Sequence, residues 1–413
     1  MTDYRAADTE EIIELPALHG SAVYVENLIL MAIKENASDV HAKTDRQSKL
    51  RIKTVLNEIT DTRCRPKEDD LYAFCYKHMP ADKERLDAFR RKQLFSIDST
   101  VIVHNRRLRM HLFRSMSGPC ATLRLLSEKI PDLDKLNLPP SLHNFIQQES
   151  GLVLITGATG SGKTTTIASI VDAINRTRPV FILTIEDPVE YLYHEAMATI
   201  EQREVGHDVK SFGQATVDAM REDPNVIVVG EMRDLDTIQN AITLAETGHL
   251  VFGTLHAKSV IDAVDRMIDV FPPEQQQQIR VQLSSVINGI VHQQMVRSNG
   301  QIAVLCEVLM FDAVLRNQIK NAGTNPASIR DGMRSRTKEG CVHIADNAFW
   351  HIQQGRMTFE DVKQRLSSSD LMLLQAQLNA TSTSSGHSSS SASSGTTSNP
   401  AFRSASGNGY TRK

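Results

Sequence analysis

The amino-acid sequence predicts an α/β protein with two folded parts and a low-complexity C-terminal segment. Ahead of Pro131, short β-type runs are mixed with helical stretches, which is typical of a small α+β domain. From Gly151 onward, apolar β-type runs alternate with helical stretches, which predicts a mostly parallel sheet covered by helices. From Thr381 onward the chain is mostly Ser, Thr and Gly, which predicts disorder.

Composition agrees with a globular protein of two or three domains. The chain has 413 residues, of which 40% are hydrophobic and 23% charged. No stretch approaches 18 apolar residues, and the acidic N-terminus has no apolar signal-peptide core, so we expect neither a membrane span nor export. The five cysteines lie far apart without a C-x-x-C pair, which argues against a zinc site and favours a reducing cytoplasm.

Charge is unevenly spread along the chain. Residues 43–124 contain 19 Lys and Arg against 10 Asp and Glu, a local net charge of +9 in a chain whose total is −3. A basic domain beside an acidic one favours contacts with another subunit, with phosphate or with an anionic membrane. A solvated basic face is the alternative.

The N-terminal part is predicted to hold alternating helices and strands. Residues 23–32 have the apolar spacing of a helix, and residues 69–91 form a charged helical stretch. The β-type runs lie at residues 50–56, 97–103, 107–113 and 120–126. Pro131 and the pair Pro139-Pro140 mark a linker. The predicted divisions are a leader at 1–20, an N-terminal domain at 21–130, a linker at 131–143, a large domain at 144–380 and a disordered tail at 381–413.

The large domain is predicted to contain four strands separated by helices. The strand candidates are residues 152–156, 180–185, 226–229 and 250–254. Residues 273–296 are predicted as one long helix.

A glycine-rich loop follows the first of these strands. Residues 157–164, Gly-Ala-Thr-Gly-Ser-Gly-Lys-Thr, fit the pattern G-x-x-x-x-G-K-[ST], and residues 165–174 continue with helical spacing. Strand, glycine loop and helix N-terminus together cradle phosphates with backbone N–H groups. The predicted nucleotide-binding residues of this loop are Gly157, Ala158, Thr159, Gly160, Ser161, Gly162, Lys163, Thr164 and Thr165.

Two side chains of the loop have predicted roles in a triphosphate complex. Lys163 would reach the β- and γ-phosphates, and the Thr164 hydroxyl would bind Mg²⁺. The predicted cofactors are therefore ATP and Mg²⁺.

Three polar side chains follow later strands, where ligands bind in open parallel sheets. Glu186 follows residues 182–185, where a carboxylate can reach the γ-phosphate and an attacking water. Glu231 follows a Walker B-like strand in which Gly230 replaces the usual Asp, so Glu231 is the predicted partner of Mg²⁺ or of water. His256 is predicted to donate a hydrogen bond to the γ-phosphate, and His249, ahead of its strand, is placed less favourably.

Beyond the glycine loop, the segments at residues 184–191, 202–205, 221–224, 230–235, 245–256 and 265–272 carry a further likeness. Together with the loop, they resemble the secretion-superfamily ATPases, most of all the type IV pilus retraction ATPases of the PilT and PilU type. The resemblance implies a RecA-like ATPase domain, an N-terminal PAS-like domain and a homohexameric ring. By analogy we assign Glu186 to water and Glu231 to Mg²⁺, with the reverse as the alternative.

The same resemblance extends the predicted site beyond the large domain. The arginines that reach a neighbour's nucleotide in the family align best with Arg107, Arg109 and Arg124, and Arg203 is a further phosphate-side candidate. It also implies an inner-membrane platform protein as partner and a cytoplasmic location peripheral to the inner membrane.

The direction of work remains open at this point. Extension and type II relatives carry a four-cysteine zinc motif that is missing here. Residues 327–334, Ala-Ser-Ile-Arg-Asp-Gly-Met-Arg, are a loose version of the retraction signature A-I-R-N-L-I-R-E, with an extra Ser328 and a glycine at Gly332. A DotB-like ATPase of a type IV secretion system is the alternative. A RecA-like DNA translocase is disfavoured, and no nucleic acid is expected as a partner, because the basic excess lies in the N-terminal region.

Overall fold

The computed structural model describes residues 19–52, 55–127, 129–298, 300–321 and 326–384. Most of the predicted leader and residues 385–413 of the predicted tail lie outside the described residues. The chain divides into two compact units, Met1–Lys129 and Ile130–Lys413. Within the described ranges, no helix combines the length and apolarity needed to cross a bilayer.

Within its described residues, the first unit is a six-stranded antiparallel sheet with three α-helices. The strand order is β3-β2-β1-β6-β5-β4. Its elements are α1 (Val23–Lys34), β1 (Asp39–Lys43), β2 (Lys49–Ile52), β3 (Val55–Glu58), α2 (Glu68–His78), α3 (Lys83–Arg90), β4 (Ser96–Val103), β5 (Arg106–Ser115) and β6 (Gly118–Leu125).

Two predictions for this unit need correction. The single β-type run at 50–56 is divided between β2 and β3, which pair antiparallel with Ile52 opposite Val55. The helical stretch at 69–91 is two helices, because α2 ends at His78 and Pro80 begins a short 3₁₀ turn. Proline has no N–H and clashes with the preceding turn, so it cannot continue a helix.

The second unit is a seven-stranded sheet covered by helices. Its order is β13-β12-β7-β11-β10-β8-β9, in which only the β12–β13 pair is antiparallel. Its elements are β7 (Gly151–Thr156), α4 (Lys163–Thr177), β8 (Phe181–Glu186), β9 (Thr199–Glu204), α5 (Phe212–Ala219), β10 (Val226–Val229), α6 (Leu235–Glu246), β11 (Leu250–Leu255), α7 (Val260–Asp269), α8 (Pro273–Val286), β12 (Ile287–Ser298), β13 (Gln301–Met310), α9 (Ala313–Lys320), α10 (Pro326–Ser335), α11 (Ile344–Gln353), α12 (Phe359–Lys363) and α13 (Ser368–Ser384).

The central strands of this sheet are buried on both faces. β7, β10 and β11 are buried at every residue, which explains why they are continuous apolar runs in the sequence. The four predicted strands correspond to β7, β8, β10 and β11 within one residue at each end, so the prediction of an α/β fold is confirmed.

The prediction of one long helix at 273–296 is wrong. α8 ends at Val286, and the chain continues directly into β12. β12 pairs with β7 on one side and with β13 on the other, and Ile287, Ile290 and Val291 are buried. A short apolar run does not distinguish a buried strand from a buried helix, and here two neighbouring strands decided the outcome.

The segment predicted as a linker, residues 131–143, packs against the large domain. Leu133, Leu138 and Leu142 are buried in one core with Ile170 of α4. The Ser169 hydroxyl of α4 donates a hydrogen bond to the Pro131 carbonyl oxygen at 2.7 Å.

A small helical layer surrounds the ends of β12 and β13. These strands continue beyond the end of β7 and are covered by α11, α12 and α13, whose core includes Val296, Val362 and Leu374. α13 extends to Ser384, so the first four residues of the predicted tail, 381–384, are helical rather than disordered. They continue a helix that is anchored further back by buried Leu374.

Candidate nucleotide-binding site

The sheet order collects the predicted segments at one edge. β12, β7, β11, β10 and β8 are consecutive parallel neighbours. Because the carboxyl ends of parallel strands meet at the same edge, the glycine loop after β7 lies beside the segments that carry Glu186, Glu231 and His256.

The glycine loop is closely packed where it leaves β7. Gly157 has a φ of +143°, and a Cβ atom added there would lie 2.3 Å from the Gln293 carbonyl oxygen. Only glycine fits this conformation and this contact. The loop can therefore turn back tightly over the sheet edge and lead into α4.

Lys163 is the first residue of α4 and folds back over the loop. Its Nζ donates hydrogen bonds to the carbonyl oxygens of Gly157 at 3.0 Å and Ala158 at 3.1 Å. Burial lowers the pKa of Lys163, and the charges of Glu231 and Glu190 oppose that shift. The ammonium group is thus partly desolvated and close to two carboxylates. It lies at the N-terminus of α4, where the helix dipole favours anions.

The loop also contains a polar atom with no partner. The buried Ser161 Oγ has no hydrogen-bond partner in the described part of the chain. Buried hydroxyl groups are normally hydrogen-bonded, so this atom points to a ligand. A phosphate oxygen could accept a hydrogen bond from this hydroxyl, as phosphate oxygens accept hydrogen bonds from backbone N–H groups at a helix N-terminus.

Glu186 ends β8 as a buried carboxyl group. Its Oε1 accepts hydrogen bonds from Thr184 Oγ1 at 2.9 Å and from Gln202 Nε2 at 3.4 Å, and its Oε2 accepts from the Glu190 N–H at 3.4 Å. Burial raises the pKa of Glu186 to about 7, although the three hydrogen bonds oppose this. A carboxyl group that titrates near neutrality is suited to taking a proton from water.

Glu231 and His256 form a pair across neighbouring strand ends. Glu231 Oε1 contacts Arg233 Nε and lies 3.2 Å from His256 Nε2. The carboxylate of Glu231 and the hydroxyl of Thr164 are hard oxygen donors of the kind that Mg²⁺ takes in nucleotide sites, so the residues present fit this ion.

Gly230 allows the chain just after β10 to pass close to the end of β8. A Cβ atom at Gly230 would lie 2.9 Å from the Ile185 carbonyl oxygen and 3.2 Å from Glu186 Cα. The replacement of the usual Walker B aspartate by glycine therefore has a steric reason. It leaves Glu231 as the first acidic side chain after the strand.

The other predicted residues are distributed over both units. Arg203 lies on edge strand β9, and its Nη1 pairs with Glu222 Oε1 at 2.8 Å. His249 comes just before β11, so it lies at the amino ends of the parallel strands, away from the glycine loop. Its Nδ1 is 2.8 Å from the Leu244 carbonyl oxygen. In the first unit, Arg109 and Arg124 are cross-strand neighbours on β5 and β6, and Arg124 Nε donates to Asp39 Oδ1 at 2.9 Å.

A cavity of about 570 Å³ opens beside the glycine loop. One wall is the loop itself, and the remaining lining residues are His256, Ala257, Lys258, Arg266, His292, Gln293, Gln294, Met295 and Arg365. The sequence prediction named only His256 among the latter.

His292 and Gln293 were missed because β12 was predicted as helix. Burial lowers the pKa of His292 to about 4, and its Nδ1 lies 3.3 Å from Thr156 Oγ1. Gln293 Nε2 donates to Thr166 Oγ1 of α4 at 2.8 Å. Polar residues directly after the apolar pair Ile290-Val291 were the available signal, since they stand where β12 passes the carboxyl end of β7, and polar residues at that end of a parallel sheet often face a ligand.

The fold and site define a class, the P-loop nucleotide-binding proteins with a RecA-like sheet. A family model described as "Type II/IV secretion system protein" matches residues 20–393, and the chain belongs to this family. The predicted secretion-superfamily ATPase is confirmed by this match and by the relatives below.

Named relatives resemble most of the chain. PilT of Pseudomonas aeruginosa, a type IV pilus retraction ATPase, is 35% identical over 72% of this chain and 85% of its own length. A twitching motility protein of Neisseria gonorrhoeae is 36% identical over 64% of this chain and 71% of its own. YggR of Escherichia coli, an uncharacterised protein, is 35% identical over 81% of this chain and 99% of its own.

Solved structures show the same architecture. The crystal structure of the pilus retraction motor PilT with bound ADP has a TM-score of 0.76 at 36% identity, and covers 84% of this chain and 98% of that one. The ATPase DotB of Legionella pneumophila has a TM-score of 0.70 at 25% identity, and covers 85% of this chain and 97% of that one. The predicted α/β fold class is confirmed by the match to PilT.

Proposed function

We propose that the protein is a Mg²⁺-dependent motor ATPase, assembled as a homohexamer, that drives retraction of a type IV pilus from the cytoplasmic side of the inner membrane. The observation that carries the proposal is the convergence of Lys163, Glu186 and the Glu231–His256 pair on adjacent strand ends. The names of the PilT relatives support pilus retraction as the work that is done, and the PilT structure with ADP supports an adenine nucleotide as the ligand.

Phosphate binding is the first task of this edge. The backbone N–H groups of the glycine loop and the N-terminus of α4 would hold the phosphate oxygens, with Ser161 Oγ as an added donor. Lys163 would exchange its hydrogen bonds to the Gly157 and Ala158 carbonyl oxygens for the β- and γ-phosphates. Mg²⁺, held through Thr164 and Glu231, would neutralise phosphate charge when bound.

Water activation is assigned to Glu186. Its carboxylate is buried, so little solvent competes for a water that it holds. Its pKa of about 7 makes it a proton acceptor at neutral pH. Hydrogen bonds from Thr184, Gln202 and the Glu190 N–H hold the carboxyl group in one orientation.

Glu231 and His256 are assigned to the γ-phosphate side. His256 would turn from Glu231 Oε1 to the γ-phosphate, so that loss of this phosphate returns it to the carboxylate. Such an exchange of partners would report the state of the nucleotide to β11 and α7.

The basic N-terminal unit is proposed to act on a neighbour's nucleotide. Arg109 and Arg124 lie side by side on β5 and β6, and a pair of guanidinium groups can stabilise the charge of phosphoryl transfer. Arg203 is proposed as a phosphate-side group within the same subunit, once it leaves Glu222.

Arg124→Ala is expected to lower ATP turnover at least about a hundredfold, as loss of an arginine finger does. Mixtures of Arg124→Ala and Lys163→Ala subunits, each inactive alone, should regain part of the activity, because a mixed ring contains interfaces with one intact copy of each residue. Turnover is measured by phosphate release, with hexamers confirmed by light scattering.

Asp39→Asn is the matched control for Arg124. It removes the ion pairs of Asp39 with Arg124 and Arg51 and keeps both arginines. If Asp39→Asn is as inactive as Arg124→Ala, or if mixed hexamers stay inactive, the arginine serves the folded unit rather than the neighbour's nucleotide.

Deletion of the gene tests the cellular function. Loss of a retraction motor should leave cells with excess surface pili and no twitching, because assembly continues without disassembly. Wild-type protein should restore both properties, whereas Lys163→Ala should restore neither. Normal pili and twitching combined with loss of protein export would instead favour a role in a type IV secretion system, as for the DotB relative.

A further inference from the structure

The cavity beside the glycine loop is also lined by residues far from the loop in the chain. The loop forms only one of its walls. The rest of the lining includes His292 to Met295 of β12 and Arg365, which comes two residues after the end of the small helix α12. A volume of about 570 Å³ lies within the range of sites that enclose whole small-molecule ligands.

Met295 provides an apolar surface next to the phosphate loop. It lies on β12, three residues past His292, and is half-buried. Its Cε would lie 4.0 Å from a Cβ atom at Gly162, so the methyl group borders the loop. Thioether side chains are polarisable and pack well against flat aromatic rings.

Arg365 provides a planar cation on the side of the C-terminal helices. Its neighbours Val362 and Leu366 are buried in the core that also contains Val296 of β12, so its backbone is held against that strand. Its side chain is exposed and lines the cavity. Guanidinium planes stack on nucleobases and also interact with their π faces.

Arg266 also lines the cavity but is less suited to this role. Its Nε donates to Asp262 Oδ2 at 3.2 Å, which holds the guanidinium along α7. Lys258 is the third cation of the lining, and its ammonium group has no plane to stack.

We propose that Met295 and Arg365 form the nucleoside subsite, with the base lying between the Met295 thioether and the Arg365 guanidinium plane. This inference rests on the proposed nucleotide site. It gives the nucleotide a second anchor in the C-terminal helical layer, so that binding joins the glycine loop to the segment just after α12.

The test is calorimetric titration of the full-length protein with Mg-ADP and, separately, with Mg-tripolyphosphate, which lacks the nucleoside. Arg365→Ala should weaken Mg-ADP binding about tenfold, as loss of one stacking contact does, and change Mg-tripolyphosphate binding less than about twofold. Met295→Ala should show the same selectivity. Arg365→Lys should resemble Arg365→Ala, because lysine keeps the charge but lacks the plane.

Lys363→Ala is the matched control, since it removes an exposed cation from α12 that is not part of the cavity lining. It should bind both ligands like the wild type. Equal losses for both ligands in Arg365→Ala, restored by Arg365→Lys, would show a phosphate contact and overturn the proposal, as would unchanged binding of both. Lys163→Ala should weaken both ligands; if it weakens neither, the nucleotide site itself is wrong.

Discussion

Lys163→Ala is expected to abolish nearly all ATP turnover, lowering it at least about a hundredfold. Lys163 is the only residue of the glycine loop with a charged side chain, and its Nζ already lies within hydrogen-bond distance of two loop carbonyl oxygens. Alanine removes the cation that would neutralise the β- and γ-phosphates as charge shifts during cleavage. Phosphate release by purified protein at saturating Mg-ATP measures the effect.

Folding of this variant should be preserved. The ammonium group is partly desolvated, and the two carbonyl oxygens it leaves lie at an open cavity where water can replace it. Lys338→Ala, which changes an exposed lysine in the turn after α10, serves as the control and should keep full turnover. Wild-type turnover in Lys163→Ala would remove the basis of the proposed ATPase mechanism.

Glu186→Gln is expected to lower turnover by a similar factor while Mg-ATP still binds. Glutamine keeps the size of the side chain and an oxygen acceptor for Thr184 Oγ1, but it cannot accept a proton. Wild-type turnover should rise with pH through about 7, because the carboxylate form of Glu186 increases there. The variant's residual turnover should lack this dependence.

Glu186 should also make the stability of the folded protein depend on pH. Its contribution to stability should fall as pH rises, whereas turnover should rise. Its pKa is raised in the folded protein from 4.5 to about 7, so the folded state holds the proton more tightly than the unfolded state. The contribution is fully present below the unfolded pKa and is lost as pH rises through about 7, by roughly 3 kcal/mol. Glu186→Gln should therefore be more stable relative to the wild type at pH 8 than at pH 5, measured by thermal unfolding.

Glu307 supplies a matched control for this experiment. It is buried on β13, burial raises its pKa to about 7, and its Oε2 accepts a hydrogen bond from the Val260 N–H at 3.2 Å. Glu307→Gln should reproduce the stability change and keep the wild-type pH profile of turnover. If it also removes the pH dependence of turnover, that dependence does not come from Glu186.

Glu231→Ala separates the two acidic roles. It should raise the Mg²⁺ concentration needed for half-maximal turnover, whereas Glu186→Gln should leave that requirement unchanged. The reverse pattern in metal titrations would show that the two glutamates have exchanged roles.

The sequence by itself determined the α/β class, the four central strands and the candidate residues at their ends. β7, β8, β10 and β11 are short apolar runs followed at once by glycine or polar residues, because a strand buried on both faces can tolerate polarity only beyond its end. The glycine loop was identifiable for a local reason, since its glycines, Lys163 and Thr164 stand at fixed spacing in one continuous segment.

Only the tertiary structure decided the other side of the site. Residues 287–298 are apolar enough for either a helix or a strand, and their pairing with β7 and β13 made them a strand. That pairing brings His292, Gln293 and Met295 to the cavity, and the core around Val296 brings Arg365 there from 70 residues further along the chain than Met295. The local sequence indicates which conformation each segment prefers. These contacts depend instead on which strands become neighbours, and that depends on how the whole sheet packs.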